Sequence, residues 1–239
     1  EEAATSLGYK TFPNPTCGMT QPYTNLYGVQ MGECKRAGFC GGHGCSMDAK
    51  SSPISTTIPA LLKHANFELR TLCNVIRIDK DSTGKKATGV TYVDSRGREV
   101  EQPADVVVVA AYAFNNTRLM LLSGIGKPYD PVSNTGVVGK NYSYQVTSHS
   151  KLFFDDKWFN PFMGGAAQGT TMDEFNGDNF DRSGLGFVGG AFIDSGSRGA
   201  PPAKSKAVPD GTPSWGSEWK KVAAHYYNRV MDIGAHCSC

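Results

Sequence analysis

Along the first half of the chain, apolar and polar residues alternate with a period of two, which predicts strands with one dry and one wet face. Turn sequences separate these segments at Asp81 to Gly84 and at Ser95 to Gly97. Because short turns join successive strands, the pattern predicts an antiparallel β-meander. The alternating segments are residues 67–71, 75–79, 87–94 and 99–102.

A different pattern follows at residues 106–111, which form an apolar run without alternation. A short β-branched run of this kind is typical of a central parallel strand that is buried on both faces. It leads into a predicted helix at residues 115–122, with Asn115 or Asn116 as its cap. Strand, tight turn and helix together predict one unit of a doubly wound sheet, where ligands bind at the carboxyl ends of strands.

Two other segments have helical patterns. Residues 55–64 offer Thr56 or Thr57 as a cap and a proline in the first turn, and residues 215–227 carry apolar residues on one side. Past residue 145 the chain changes to short strand-like pieces between glycine turns, and its last residues show no evident final element. We therefore expect a domain boundary near residues 145–150.

Composition narrows the class of protein. The chain has 239 residues, of which 39% are hydrophobic and 19% charged, as in ordinary globular proteins. A net charge of +2 without a dense basic stripe argues against a dedicated nucleic-acid binder. The sequence contains neither an apolar run of about 18 residues nor a visible signal peptide. Both ends are abrupt, so we expect a portion of a longer polypeptide.

The most specific chemistry lies in a loop at residues 32–46, where Cys34, Cys40 and Cys45 fall within twelve residues among glycines. Glycines at positions 38, 41, 42 and 44 would let the backbone take positive φ and aim several sulfurs at one point. Three interpretations remain open from spacing alone: an iron–sulfur cluster, a zinc site with His43 as fourth ligand, or a disulfide with a spare thiol. The odd total of seven cysteines fits poorly with a closed disulfide framework.

Several stretches are informative when taken together: residues 69–75, 87–92, 104–113, 121–126 and 138–142. Together they resemble the glucose–methanol–choline (GMC) family of flavin oxidoreductases. A second set consists of the cysteine loop, at residues 34–45, and residues 49–53, 127–131 and 173–181. This second set resembles, more narrowly, the large flavoprotein subunit of membrane-bound bacterial dehydrogenases.

This resemblance implies an α/β (α+β) fold: an internal portion of a doubly wound FAD-binding domain with a β-meander, plus part of a β-sheet substrate domain. The implied domains are residues 1–148, including the cysteine loop, and residues 149–239. The family holds the adenosine end of FAD with backbone atoms at positions that match Val75, Ala110 and Ala111. The next position, Tyr112, is usually glycine in the family.

The narrower resemblance implies that Cys34, Cys40 and Cys45 bind a 3Fe-4S cluster, and that His43 is then an ordinary loop residue. The implied enzyme oxidises a sugar acid or polyol, most closely gluconate to 2-ketogluconate. It passes electrons from FAD through the cluster to a membrane cytochrome c subunit, with a small accessory subunit, at the periplasmic side of the inner membrane. The alternatives are a related glucose, sorbitol or fructose dehydrogenase, and a non-catalytic electron-transfer fragment.

Two family features are missing from the sequence. The phosphate-binding GxGxxG loop is absent, since the glycines at 38–44 follow no strand. The catalytic histidine of the family has no match either, and His236 aligns with no catalytic position. The resemblance therefore assigns cofactor-binding residues but no catalytic residue.

Overall fold

The computed structural model describes residues 1–40, 43–163, 169–197 and 207–237. Helices and strands both occur throughout these ranges, which confirms the predicted mixed α/β class. Within them, no helix combines the length and apolar character needed to cross a membrane.

The chain divides into two compact units, which do not follow one sequence boundary. One unit joins Glu1–Phe67 to Tyr144–Cys239, and the other is Glu68–Ser143. This division describes packing. The functional domains 1–148 and 149–239 stay a prediction.

The described ranges contain helices that are mostly short and strands that pair antiparallel. The helices are α1 (Glu2–Ser6), α2 (Thr57–Leu61), α3 (Ala113–Leu122) and α4 (Gly216–Tyr226). The strands are β1 (Phe12–Pro13), β2 (Tyr23–Thr24), β3 (Gln30–Met31), β4 (Asn74–Lys80), β5 (Ala87–Val93), β6 (Glu99–Pro103), β7 (Val146–Phe153), β8 (Thr170–Met172), β9 (Ala191–Gly196) and β10 (Val230–Cys237).

The Glu68–Ser143 unit contains the predicted β-meander, in the order β4-β5-β6. The two turns form where the sequence predicts them. Gly84 takes φ 68° in the first turn. In the second, the Asp94 carboxylate accepts hydrogen bonds from the backbone N–H groups of Arg96 and Arg98. Local turn chemistry therefore fixes the register of this sheet.

Helix α3 packs against β4 and is tied to it through Ser123, the residue that ends the helix. The Ser123 hydroxyl donates to the carbonyl of Leu119 at 2.6 Å and accepts the backbone N–H of Ile78 at 2.9 Å. Ser123 and Ile78 are both buried, with 7% and 4% of their surface exposed. The Ser123 hydroxyl thus supplies the acceptor for a strand N–H group that is buried away from water.

The other unit contains a five-stranded antiparallel sheet in the order β1-β8-β9-β10-β7. Strand β10 lies between β9 and β7 and pairs with both along most of its length. It occupies residues for which the sequence suggested no element, so that expectation was wrong. The predicted helices near residues 55–64 and 215–227 are confirmed as α2 and α4, with α2 shorter than predicted.

Three local predictions in the Glu68–Ser143 unit and just before it were wrong. Residues 67–71 form no strand, because the chain turns at Leu72, where φ is 56°. Helix α3 begins at Ala113 rather than at residue 115, because the Asn116 side chain bonds to the preceding backbone instead of capping the helix.

The predicted central strand at residues 106–111 is the third of these corrections. The segment is extended, but among the described residues no strand pairs with it. Val106 and Val108 are 77% and 81% exposed. Burial of a central strand depends on neighbouring strands on both sides, and the described residues provide no strand that pairs with this segment.

We expect Ser123→Ala to lower the free energy of unfolding by about 1–3 kcal/mol, because it leaves the buried Ile78 N–H without a partner. Urea denaturation of the full chain measures this. The matched control is Ser95→Ala in an exposed turn, which should change stability by less than about 0.5 kcal/mol. Equal stability of the two variants would contradict the role assigned to Ser123.

Candidate functional site

The cysteine loop is held at its base by backbone hydrogen bonds from two other segments. The Cys34 N–H donates to the Met19 carbonyl at 2.8 Å, and the Met19 N–H donates to the Ala49 carbonyl at 2.9 Å. The Ser51 N–H donates to the Cys17 carbonyl at 2.9 Å. Three stretches that are distant in sequence therefore meet at the loop, and one of them brings Cys17.

Lys50 closes the loop from inside. Its ammonium group donates to the carbonyl of Cys40 at 2.6 Å and to the carbonyl of His43 at 2.8 Å. The carbonyl of the same residue accepts the hydroxyl of Ser55 at 2.7 Å, which joins the loop to the segment before α2. Charged donors make the stronger hydrogen bonds, so Lys50 holds the carbonyls of Cys40 and His43 at one point.

The glycines of the loop act differently from the sequence prediction. Positive φ occurs at Arg36 and Phe39, with φ of 50° and 59°, while Gly38 is needed for close packing. A Cβ atom at Gly38 would lie 2.8 Å from the carbonyl oxygen of Phe162. The predicted positive φ at Gly41 and Gly42 falls outside the described residues.

Aromatic rings anchor the loop to the rest of its unit. The rings of Phe39 and Phe162 lie 5.4 Å apart, and those of Phe162 and Tyr227 lie 5.5 Å apart. Tyr227 directly follows α4. Aromatic pairs at these distances stabilise each other, so the tip of the loop is connected to the end of a helix.

Cys34, Cys40 and Cys45 line one cavity of about 390 Å³, together with Cys17. The structure therefore brings the three predicted metal ligands to one place. The pKa of the Cys45 thiol is lowered because backbone N–H groups of Lys50, Met47 and Ala49 donate hydrogen bonds to its sulfur. Such donors favour the thiolate, which is the form that binds metal.

The spacing of these sulfurs does not suit a single zinc ion. Zn–S bonds of about 2.3 Å place tetrahedral sulfur ligands about 3.8 Å apart. Three metal-ligating atoms within 4.8 Å of one another occur, among the residues that the structure describes, only in a group outside this loop. The loop cysteines do not meet this spacing, with or without His43.

The disulfide alternative also finds no support. The six cysteines in the described part of the chain are all free thiols, and the three loop cysteines are half-buried. The loop therefore presents separate sulfurs around an open volume, an arrangement that can accept a group larger than one ion.

The predicted flavin-binding positions lie in the Glu68–Ser143 unit. Val75 is near the start of β4, where the pairing with β5 shifts register between Val75 and Arg77. Ala110 and Ala111 are exposed and directly precede Tyr112, the N-cap of α3. Val75 therefore lies in β4, and Ala110 and Ala111 lie in the segment that leads into α3, the helix that packs against β4.

Asn116 shapes the backbone at the second of these positions. Its side-chain oxygen accepts the N–H of Ala111 at 2.7 Å, and its amide nitrogen donates to the carbonyl of Val109 at 3.3 Å. The N–H of Ala111 is therefore already paired, which leaves the carbonyl side of this turn for a ligand.

Tyr112 occupies a backbone conformation that normally requires glycine. Its φ is 75° and its ψ is 149°, a region that side chains with a Cβ atom adopt only under strain. The resemblance implies glycine at this position, and the observed dihedral angles give the physical reason. The tyrosine ring is 62% exposed and lies 5.5 Å from the ring of Phe114.

The sequence alone did not reveal two contributors to the cysteine cavity. Cys17 lies seventeen positions before Cys34, outside the dense spacing that marks the loop. Lys50 belongs to a stretch that carried the narrower resemblance, but a lone lysine in a polar segment indicates no contact by itself. Only the paired backbone segments bring both residues to the loop.

We expect Lys50→Met to open the cysteine loop about tenfold more often, because the loss of charge-assisted bonds to two carbonyls costs about 1.5 kcal/mol or more. Limited trypsin digestion measures this as faster cleavage after Arg36. Lys35→Met is the control, because Lys35 forms an exposed ion pair with Glu33. Equal cleavage rates in the two variants would remove the role assigned to Lys50.

We expect Tyr112→Gly to raise the free energy of unfolding by about 1 kcal/mol, because relief of backbone strain exceeds the added flexibility of the unfolded chain. Tyr112→Ala removes the same ring but keeps the strain, so it should give no gain. Urea denaturation compares the two. If alanine stabilises as much as glycine, the backbone at this position is unstrained.

Comparison with known proteins relates these features to a family. A gluconate 2-dehydrogenase flavoprotein from Pantoea cypripedii is 46% identical over 236 residues, which is 98% of this chain and 38% of that protein. Paromamine 6'-oxidase from Streptomyces fradiae is 31% identical over 62% of this chain and 27% of its own. A 2-methyl-1,2-propanediol dehydrogenase from Mycolicibacterium austroafricanum is 29% identical over 61% of this chain and 25% of its own.

The chain therefore spans less than two fifths of the length of these curated relatives. The sequence profile described as GMC oxidoreductase matches residues 24–147, which include the cysteine loop, the β-meander and α3. That match covers more than half of the chain and confirms the resemblance found in its motifs. The chain belongs to the GMC oxidoreductase family.

Proposed function

We propose that the chain is part of an FAD-dependent dehydrogenase that oxidises a hydroxyl group of a sugar acid, most closely gluconate to 2-ketogluconate. The observation that carries this proposal is 46% identity across nearly the whole chain to a protein named as a gluconate 2-dehydrogenase flavoprotein. The weaker relatives are named as an oxidase and a diol dehydrogenase, which supports the broader class of alcohol oxidation.

FAD, when bound, would supply the ring that accepts a hydride from the substrate carbon. Within this chain, backbone atoms at Val75, Ala110 and Ala111 would hold its adenosine end. The register shift at Val75 interrupts strand pairing, and Ala110 and Ala111 are exposed, so a ring could approach both. The pairing of the Ala111 N–H with Asn116 pre-orients this turn.

The exposed segment at residues 106–111 supports the same proposal. Its side chains have the apolar character of a strand interior, yet Val106 and Val108 face solvent. In the complete FAD-binding domain this segment would pair with other parallel strands, which would bury those side chains and place Ala110 and Ala111 at a carboxyl end.

Cys34, Cys40 and Cys45 would hold a 3Fe-4S cluster, which when bound would take electrons one at a time. Three thiolates suffice as ligands for such a cluster, and Cys34, Cys40 and Cys45 line one cavity. The backbone N–H groups that donate to the Cys45 sulfur would tune the reduction potential of the cluster, as hydrogen bonds to cluster sulfurs do.

The proposed electron acceptor is a membrane cytochrome c subunit, with a small accessory subunit, at the periplasmic face of the inner membrane. Oxidation of an alcohol to a ketone removes two electrons, which a relay must deliver to an acceptor. The loop that would hold the relay carries exposed residues at its tip, including Arg36 and Ala37, where a partner could approach.

We expect the full-length protein that contains this chain, purified without oxygen, to hold about three irons per chain and to show an oxidised-state electron paramagnetic resonance signal. Cys40→Ser should lose both. It should also lower gluconate-driven reduction of cytochrome c by roughly tenfold more than reduction of a dye that takes electrons from flavin. Cys73→Ser, outside the cavity, is the matched control and should keep its iron.

Each part of the proposal has its own contrary result. If the protein holds iron and shows the resonance signal but does not reduce the dye with gluconate, the cluster assignment stands and gluconate is refuted as the substrate. Gluconate oxidation with normal iron in Cys40→Ser would refute the cluster. Loss of iron in Cys17→Ser would refute a three-thiolate site, because Cys17 lines the same cavity.

A further inference from the structure

Two histidines and one aspartate meet on the five-stranded sheet, far from each other in sequence. His149 lies on β7, Asp194 on β9 and His236 on β10. One ligand atom from each of the three lies within 4.8 Å of the others. Among the residues that the structure describes, this is the group in which three metal-ligating side chains converge.

The register of the sheet explains this convergence. Gly234 of β10 pairs with His149 on one side and with Asp194 on the other. His236 is two residues further along β10, so it lies on the same face as the position of Gly234. Cross-strand neighbours and the diagonal position two residues on are within reach of long side chains, which brings all three to one point on the sheet.

Gly234 leaves the space that His149 occupies. A Cβ atom at this position would lie 2.2 Å from Nδ1 of His149 and 2.8 Å from the carbonyl oxygen of Ser148. The imidazole of His149 therefore leans over β10, above a residue that has no side chain. A glycine in the middle of a paired strand weakens that strand. What Gly234 provides in return is the space for the close approach of the His149 ring.

His236 is fixed on two sides. Its Nε2 lies 3.1 Å from Oδ1 of Asp194, and both side chains are less than one-fifth exposed. The ring of Phe192 stacks on it at 4.7 Å and 11° between planes, and the ring of His149 meets it edge-on at 5.2 Å. Half-buried, oriented imidazole and carboxylate groups form a pre-organised donor set.

We propose that His149, Asp194 and His236 bind a divalent transition-metal ion such as Zn²⁺. Two imidazoles and one carboxylate suit Zn²⁺ and its neighbours, whereas Mg²⁺ and Ca²⁺ prefer oxygen ligands throughout. Bonds of about 2.05 Å in a tetrahedral site separate ligand atoms by about 3.3 Å, close to the observed Asp194–His236 separation. The fourth position is left for water or another ligand.

The bound ion would link three strands, β7, β9 and β10, that are far apart in the sequence. Strand β7 lies at one edge of the sheet and pairs only with β10 in the described ranges, so the ion would hold it in place through His149. This inference is independent of the proposed flavin and cluster chemistry, because its donors are nitrogen and oxygen atoms outside the cysteine loop.

The test is titration of the full chain with Co²⁺ and with Zn²⁺, followed by visible absorption and by calorimetry. We expect one equivalent to bind through nitrogen and oxygen ligands, without the near-ultraviolet band that marks thiolate ligation. His149→Ala and His236→Ala should each weaken this binding by about 100-fold or more. The matched control is His225→Ala, since His225 lies on α4 and its carboxylate neighbour is the exposed Asp155.

Gly234→Ala supplies a second variant that leaves all three ligands in the chain. The added methyl group should displace the His149 ring and weaken metal binding by at least about tenfold, while circular dichroism remains native. Zn²⁺ should raise the thermal midpoint of the parent protein and of His225→Ala, but not that of His236→Ala. Unchanged binding in the two histidine variants, or Co²⁺ bound only through thiolates, would overturn the proposal.

Discussion

The arrangement of the cysteine loop depends on Lys50. Its ammonium group holds two carbonyls of the loop, its own N–H donates to the Cys45 sulfur, and its carbonyl accepts a hydroxyl from Ser55. One residue therefore acts on two of the three predicted ligands and also joins them to the segment before α2. Without it the loop would keep its backbone pairing and the contact of Phe39 with Phe162, but would lose the charged hydrogen bonds that hold the Cys40 and His43 carbonyls, and glycine-rich chain is costly to order.

Those parts of the fold that depend on local sequence could be predicted. The prediction of the β-meander was correct because alternation and turn chemistry act within a few residues, as at Gly84 and Asp94. The predicted central strand at residues 106–111 was wrong, because an apolar run becomes a buried strand only when partner strands are present. Residues 230–237 alternate Met231, Ile233 and Ala235 with polar residues or glycine, so a signal for β10 was present, although weakly apolar.

The candidate site was predictable in proportion to how closely its residues follow each other in sequence. Three cysteines in twelve residues indicated a common target, and the structure brings them to one cavity. Cys17 and Lys50 reach the same cavity through backbone pairing between distant segments, which no local pattern encodes. His149 and His236 are likewise brought together only by the register of β7 and β10. The roles of Val75, Ala110 and Ala111 stay predictions.

The two candidate ligand clusters, in the cysteine loop and on the five-stranded sheet, are built in the same way. In the cysteine loop, Gly38 lets the backbone pass against the carbonyl of Phe162, whose ring then packs on Phe39. In the sheet, Gly234 makes room for His149, and an aromatic ring stacks on His236. A missing side chain permits an approach that any Cβ atom would block, and a ring then limits the orientation of what has approached. Sulfur donors and imidazole nitrogens thereby lie on separate supports, so under the two proposals each cluster would select its own metal by ligand type.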